Sequence, residues 1–126
     1  MNDKYISGQC NIGRYESEKR LKIGIFGIVL TCAFSYIFYV FAVDKFIVFV
    51  LLFVSSFTSS IGILQYKNRF CVYYSLLNVY NFENFKKLVT ISKLTDKGND
   101  QQKALKLSIY SILIAFLYTV IYIILT

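Results

Sequence analysis

Two long runs without charge dominate the first half of the chain. Residues 23–43 and 46–66 contain no Asp, Glu, Lys, Arg or Pro, and only Asp44 and Lys45 separate them. At a rise of 1.5 Å per residue, each run forms a helix about 31 Å long, which matches the hydrocarbon core of a bilayer. The pattern therefore predicts two antiparallel transmembrane helices joined by a very short turn.

A third charge-free run closes the sequence. Residues 107–126 are uncharged, and the membrane-spanning part of the helix that carries them is expected to begin near residue 105. Together the three runs predict an all-α integral membrane protein with transmembrane helices at about residues 23–43, 46–66 and 105–126. By length, residues 1–126 form a single membrane domain.

Small and hydroxyl-bearing residues recur within each predicted span. In lipid such residues let helices approach closely, since packing and hydrogen bonds replace the hydrophobic drive. The pattern predicts a compact three-helix bundle. The predicted packing residues are Gly27, Thr31 and Ser35 in the first span, Ser55, Ser56, Ser59, Ser60 and Gly62 in the second, and Ser111, Ala115 and Thr119 in the third.

The long connection, residues 67–103, is basic and rich in aromatic residues. Residues 70–82 are too short to span, so they are expected to lie in the headgroup plane as a helix or to form a shallow re-entrant piece buried against the bundle. A second amphipathic stretch is predicted from residue 85 to about 94, with Gly98 and Asn99 as its end and Asp100 as the cap of the last helix. The candidate lipid contacts are Lys67, Arg69, Phe70, Tyr73, Tyr74, Tyr80, Lys86, Lys87 and Lys93.

Charge is distributed very unevenly along the chain. Of 14 Lys and Arg residues, 13 precede the first span or lie between the second and third, and the net charge is +7. The positive-inside rule therefore predicts an inner-membrane protein with cytoplasmic residues 1–22 and 67–103 and its C-terminus outside. Because the cations adjoin apolar spans, anionic lipid headgroups are favoured over nucleic acid as their partner.

Composition restricts the chemistry available to this chain. Histidine is absent, which removes imidazole from metal binding and general-base catalysis, and no catalytic, metal or cofactor residues are predicted. Cys32 is expected to pack within the membrane. Cys10 and Cys71 fall on the same predicted side, so either they form a thiol pair, with Arg14 or Arg69 as the cationic neighbour, or they are reduced, half-buried cysteines.

Three short segments carry a resemblance to a known family. They resemble small bacterial inner-membrane proteins of unknown function that are built on a two-helix hairpin and that also occur fused to rhodanese domains. In that family an Asn-x-Gly-x-x-(Asp/Glu)-Arg approach precedes the first helix and a Cys-Pro-Leu-Tyr segment follows the second; here Val72 replaces the proline and a third span is added. The resemblance covers at most residues 10–82 and implies bacterial origin and hairpin packing. The segments are residues 11–14, 20–24 and 70–79.

These patterns favour a small non-enzymatic membrane protein that binds another membrane protein or itself, as an accessory subunit or in an immunity-type role. One alternative is a membrane thiol-redox protein that uses Cys10 and Cys71. A further alternative is a homo-oligomeric pore lined by the Ser- and Thr-rich second helix, although the spans carry no ionisable group of the kind that usually serves ion passage.

Overall fold

The computed structural model describes residues 5–80 and 89–126. In chain order the elements are the helices α1 (Arg14–Val40), α2 (Lys45–Asn68) and α3 (Val72–Leu76), the strands β1 (Val79–Tyr80) and β2 (Val89–Thr90), and the helix α4 (Leu94–Leu125). Helices α1, α2 and α4 are long and apolar enough to cross a membrane. The predicted fold class, a helical membrane protein with three spans, is confirmed.

The turn between α1 and α2 is longer than predicted. Helix α1 ends at Val40, before the expected limit at Val43, and α2 begins at Lys45. Asp44 caps α2, because its Oδ1 accepts a hydrogen bond from the Phe46 N–H at 2.7 Å. The cap fixes the start of α2, so the residues before Asp44 form the turn.

Glycines bring α1 and α2 into backbone contact. A Cβ added at Gly27 would lie 2.7 Å from the Cα of Ser59, and one added at Gly62 would lie 2.7 Å from the Cα of Gly24. Distances this short leave no room for a side chain at either position. The two antiparallel helices therefore pack backbone to backbone through glycine.

Helix α4 packs against α2 through a stripe of small residues. Ala104, Ser111, Ala115 and Thr119 are buried and recur at near-helical spacing, with Leu107 between the first two. Phe116 of α4 meets Phe49 of α2 edge to face, with ring centroids 6.4 Å apart. Helix α2 thus lies between α1 and α4, and its partners both run antiparallel to it.

Helix α2 ends in a left-handed residue, Arg69, at φ 51°. The Arg69 N–H donates to the Tyr66 carbonyl and the Phe70 N–H donates to the Gln65 carbonyl, which is the Schellman arrangement of a helix end. Phe70 is fully buried against Ala104 and Leu107 of α4. The turn at Arg69 therefore directs the residues that follow α2 back towards the helix bundle.

The connection differs from its prediction in several places. Residues 89–90 form β2, which pairs antiparallel with β1 (Val79 opposite Thr90), where an amphipathic helix was predicted. The β-branched Val89 and Thr90 suit a strand, and that pairing outweighs the helical pattern. The part of the amphipathic stretch predicted over residues 85–88, with Lys86 and Lys87 as candidate lipid contacts, lies outside the described residues.

The predicted boundary before the last helix is wrong. Helix α4 starts at Leu94 and runs through Gly98, Asn99 and Asp100 without interruption. A glycine inside a helix costs only about 1 kcal/mol relative to alanine. Asp100 is fully buried by contacts with the N-terminal segment, which offset that cost and leave no helix end for it to cap.

The glycine contact yields a stability prediction. We expect Gly27→Ala to destabilise the protein by about 1–3 kcal/mol, because α1 and α2 must separate to admit a methyl group. Gly98→Ala is the matched control: nothing lies within 4 Å of the added Cβ, so it should leave stability unchanged or raise it. Thermal unfolding in mild detergent measures both variants, and equal stability of Gly27→Ala and wild type would contradict the packing role.

Candidate functional site

A lateral groove opens between α1 and α4 over the middle of α2. It has a volume of about 240 Å³, and it is lined by Ile28, Thr31, Cys32, Ser56, Ser59, Ser60, Ile114 and Tyr118. The groove exists because α1 and α4 both pack on α2 while leaving a gap between themselves. Small hydroxyl residues of α2 form its floor, at the depth of the middle of the spans.

Two of the hydroxyl groups that line the groove, those of Thr31 and Ser56, donate hydrogen bonds within their own helices. Thr31 donates to the Gly27 carbonyl at 2.7 Å, and Ser56 donates to the Leu52 carbonyl at 2.6 Å. Such back-bonding satisfies a hydroxyl inside lipid without a partner helix. The oxygen lone pairs can still accept hydrogen bonds, whereas the protons are already engaged.

Tyrosines close the groove at the end farthest from the lysines. Tyr118 and Ser35 share a hydrogen bond of 2.8 Å between their hydroxyl oxygens. Tyr122 donates to the Ser35 carbonyl at 2.6 Å. These contacts join α1 directly to α4 and bound the lateral groove on this side.

The start of α1, the end of α2 and the start of α4 lie at one end of the bundle, the lysine-rich end. There the side chain of Asn11 pairs with the backbone of Cys71. Its Nδ2 donates to the Cys71 carbonyl at 3.1 Å, and its Oδ1 accepts from the Cys71 N–H at 2.7 Å. The backbone N–H groups of Asn11 and Ile12 both donate to the Arg69 carbonyl. Asn11 and Ile12 are fully buried, so the segment before α1 is fixed to the chain that follows α2.

A buried carboxylate organises the side chains beside this pairing. Glu16 is 3% exposed and contacts Lys19 Nζ at 3.2 Å and Arg20 Nη2 at 3.7 Å. The Tyr74 hydroxyl donates to the same carboxylate at 3.3 Å. A buried carboxylate is costly unless it is paired and hydrogen-bonded, and these three partners meet that requirement.

The three cysteines lie in different surroundings, and none is in a disulfide within residues 5–80 and 89–126. Cys10 and Cys71 are both buried at the lysine-rich end, whereas Cys32 is exposed at the rim of the lateral groove. Arg20, which was not predicted for this role, donates to the Cys71 Sγ at 3.2 Å. Cys32, which was expected to pack within the membrane, is exposed because its face of α1 adjoins the gap before α4.

Before α1, residues 6–10 form a turn, the N-terminal turn. Asp100 links this turn to α4. Its carboxylate accepts hydrogen bonds from the Gly8 N–H and the Tyr5 hydroxyl, each at 2.8 Å. Burial raises the pKa of Asp100 above its usual range, although both hydrogen bonds oppose that shift. Burial and the contact with Asp100 also raise the pKa of Tyr5, so its hydroxyl stays a donor at neutral pH.

Among the described residues, the predicted lipid contacts fall into three groups by exposure. Lys67, Tyr73 and Lys93 are exposed. Arg69, Tyr74 and Tyr80 are half-buried, with Tyr74 bound to Glu16 and Tyr80 stacked on the Tyr5 ring, and Phe70 is fully buried. The prediction of lipid contact is therefore wrong for Phe70, which the left-handed turn at Arg69 directs into the core.

The contacts made by several residues at the lysine-rich end were not predicted from the sequence. The spacing of Glu16 and Arg20, four residues apart at the start of a helix, was a visible signal for an ion pair. Asn11 and Asp100 gave no such signal, because their partners lie 60 and 92 residues away along the chain.

No family model, curated protein or solved structure matches this chain. The resemblance to small hairpin membrane proteins therefore stays a prediction. The class that the fold defines is a three-span helical membrane protein.

The pairing of Asn11 with Cys71 yields the second prediction. Asn11→Ala should destabilise the protein by about 1–3 kcal/mol, because it leaves the buried Cys71 N–H and carbonyl without their partners. Asn99→Ala is the control, since the exposed Asn99 loses only one hydrogen bond, to Ser7. Thermal unfolding in detergent compares the two, and equal losses would contradict the assigned role of Asn11.

Proposed function

We propose that this chain is a non-enzymatic multi-pass membrane protein that works by binding a transmembrane helix of a second copy or of another membrane protein. An accessory subunit or an immunity-type protein would act in this way. The observation that carries the proposal is the lateral groove, a recess lined by Thr31, Ser56, Ser59 and Ser60 that opens at mid-membrane depth. Small hydroxyl residues are the usual contact surface between helices in lipid, because they permit close approach.

The chemistry of the groove supports a transmembrane helix as the partner that packs on it. The back-bonded hydroxyls present oxygen atoms and small side chains to the recess, with no charge to attract a polar solute. Ile28 and Ile114 form its sides and supply apolar contact. A second copy is the occupant to test first, since a two-fold axis along the membrane normal places equal residues at equal depth.

Cys32 provides a native probe of this proposal. In a Cys10→Ser, Cys71→Ser background, we expect oxidation in native membranes to produce a covalent dimer through Cys32, which is exposed at the groove. The control adds Cys32→Ser with Ala33→Cys, which moves the thiol by one residue to an exposed position of α1 that does not line the groove.

The results of this crosslinking experiment distinguish between the possible partners that bind in the lateral groove. A dimer with Cys32 and none with the Ala33→Cys control supports self-association through the groove. A Cys32 adduct of another mass, again missing from the control, supports a different membrane protein. Equal crosslinking at both positions, or none at either, would overturn the proposal.

We also propose a bacterial inner-membrane location with the N-terminus in the cytoplasm. Within residues 5–80 and 89–126, ten of the 11 Lys and Arg residues belong to the end of the bundle that holds the start of α1, the end of α2 and the start of α4, and this supports the orientation. The basic residues Lys67, Arg69 and Lys93 would then adjoin anionic headgroups of the inner leaflet.

Labelling of the C-terminus tests this orientation. In a cysteine-free background, Thr126→Cys should react with a membrane-impermeant maleimide added outside spheroplasts, because α4 carries Thr126 to the lysine-poor end. Asn2→Cys should react only after the membrane is permeabilised. The opposite pattern would reverse the topology.

The thiol-redox alternative has one supporting observation. Arg20 donates to the Cys71 Sγ at 3.2 Å, and a cationic neighbour is typical of reactive cysteines. Cys71 is 1% exposed, so a reactant would need the pairing with Asn11 to open first. Alkylation-based trapping of a reversible Cys10 to Cys71 disulfide tests this alternative.

The homo-oligomeric pore lined by the second helix also stays a prediction, and conductance in planar bilayers tests it.

A further inference from the structure

A polar pocket lies where α4 meets the N-terminal turn, on a different part of the molecule from the lateral groove. Its volume is about 250 Å³, and Asn99, Gln102, Lys103 and Lys106 line one wall. These four positions are spaced i, i+3, i+4 and i+7, so they share one face of α4. The opposite wall is the turn that contains Gly8 and Gln9.

Buried contacts hold the two walls together. Gly8 adopts φ +69°, and an added Cβ there would lie 3.2 Å from the Asn99 Cβ, so turn and helix are in close contact. The Gly8 N–H donates to the fully buried Asp100, whose second oxygen accepts from Tyr5. These contacts hold the turn against α4, so the two walls of the pocket are fixed relative to each other.

The pocket is positively charged and offers hydrogen-bond donors. Lys103 and Lys106 line it, and no acidic residue does so within residues 5–80 and 89–126. Lys103 is fixed by its hydrogen bond to the Asn68 Oδ1 at 3.1 Å. Two ammonium groups with the amides of Asn99 and Gln102 fit a phosphate group, which accepts hydrogen bonds and carries negative charge.

The position of the pocket along α4 favours a lipid over a soluble anion. Lys106 directly precedes the charge-free run, which places the pocket at headgroup level. The same face of α4 continues into lipid through Tyr110, Leu113 and Leu117, which are exposed. A polar pocket that leads into an exposed apolar stripe matches a ligand with a charged head and a hydrocarbon tail.

We propose that this pocket binds the headgroup of an anionic phospholipid, with an acyl chain along the Tyr110, Leu113 and Leu117 stripe. Lys103 and Lys106 neutralise the phosphate, and Gln102 and Asn99 donate to its oxygens. The bound lipid contacts both the N-terminal turn and α4. This site does not depend on the occupant of the lateral groove, so either proposal can fail without the other.

Native mass spectrometry of the full chain in mild detergent tests the site with dioleoyl phosphatidylglycerol and dioleoyl phosphatidylcholine, which have the same acyl chains. Phosphatidylglycerol should be retained preferentially. Lys106→Gln should weaken its binding by about fivefold, the contribution of one lysine near an anionic headgroup. Lys22→Gln is the matched control, since Lys22 is exposed, also directly precedes a charge-free span and lies outside the pocket.

Three results would overturn the proposal. Equal retention of the two lipids would show that the negative headgroup is not recognised. An equal loss in Lys22→Gln and Lys106→Gln would assign the effect to net charge. Displacement of the lipid by an equal concentration of glycerol 1-phosphate would identify a soluble anion as the ligand. A several-fold loss confined to Lys106→Gln, without such displacement, supports the lipid site.

Discussion

The backbone contact between α1 and α2 is the constraint on which the rest of this structure depends. Lipid tails are as apolar as the helices themselves, so burying leucine gains little inside a bilayer, and close packing must hold the helices together. Gly24, Gly27 and Gly62 allow that packing because they leave the space that a Cβ would fill. The position of α1 on α2 then determines the width of the gap before α4, and hence the lateral groove.

Much of the fold was predictable because the bilayer imposes a simple pattern. The absence of charge over residues 23–43, 46–66 and 107–126 set the number of spans and their approximate limits, and the structure has helices over most of each run. Hydrophobic length is a local property of the sequence, so a single sequence is enough to read it. The small-residue stripes were visible for the same reason, although Gly24 was overlooked beside Gly27.

The polar end was much harder to predict, since its structure depends on contacts distant in sequence. Asp100 looked like a helix cap because it follows Gly98 and Asn99, yet its partners are Tyr5 and Gly8. Phe70 looked interfacial because it adjoins Arg69, yet a left-handed turn sends it into the core. Local propensity identified neither outcome, because tertiary contacts decided both. The same reason hid the candidate lipid pocket, whose two walls come from opposite ends of the chain.

The contacts of Tyr5 and Gly8 with Asp100 also impose an order on biogenesis. Ribosomes add about 5–20 residues per second, so the N-terminal turn is made on the order of ten seconds before its partner emerges. Once α2 is complete at Asn68, α1 and α2 can pair in the membrane, whereas the turn cannot reach its final position until Asp100 has been made. Synthesis of α4 is therefore the step that fixes Tyr5 and Gly8 in their final position.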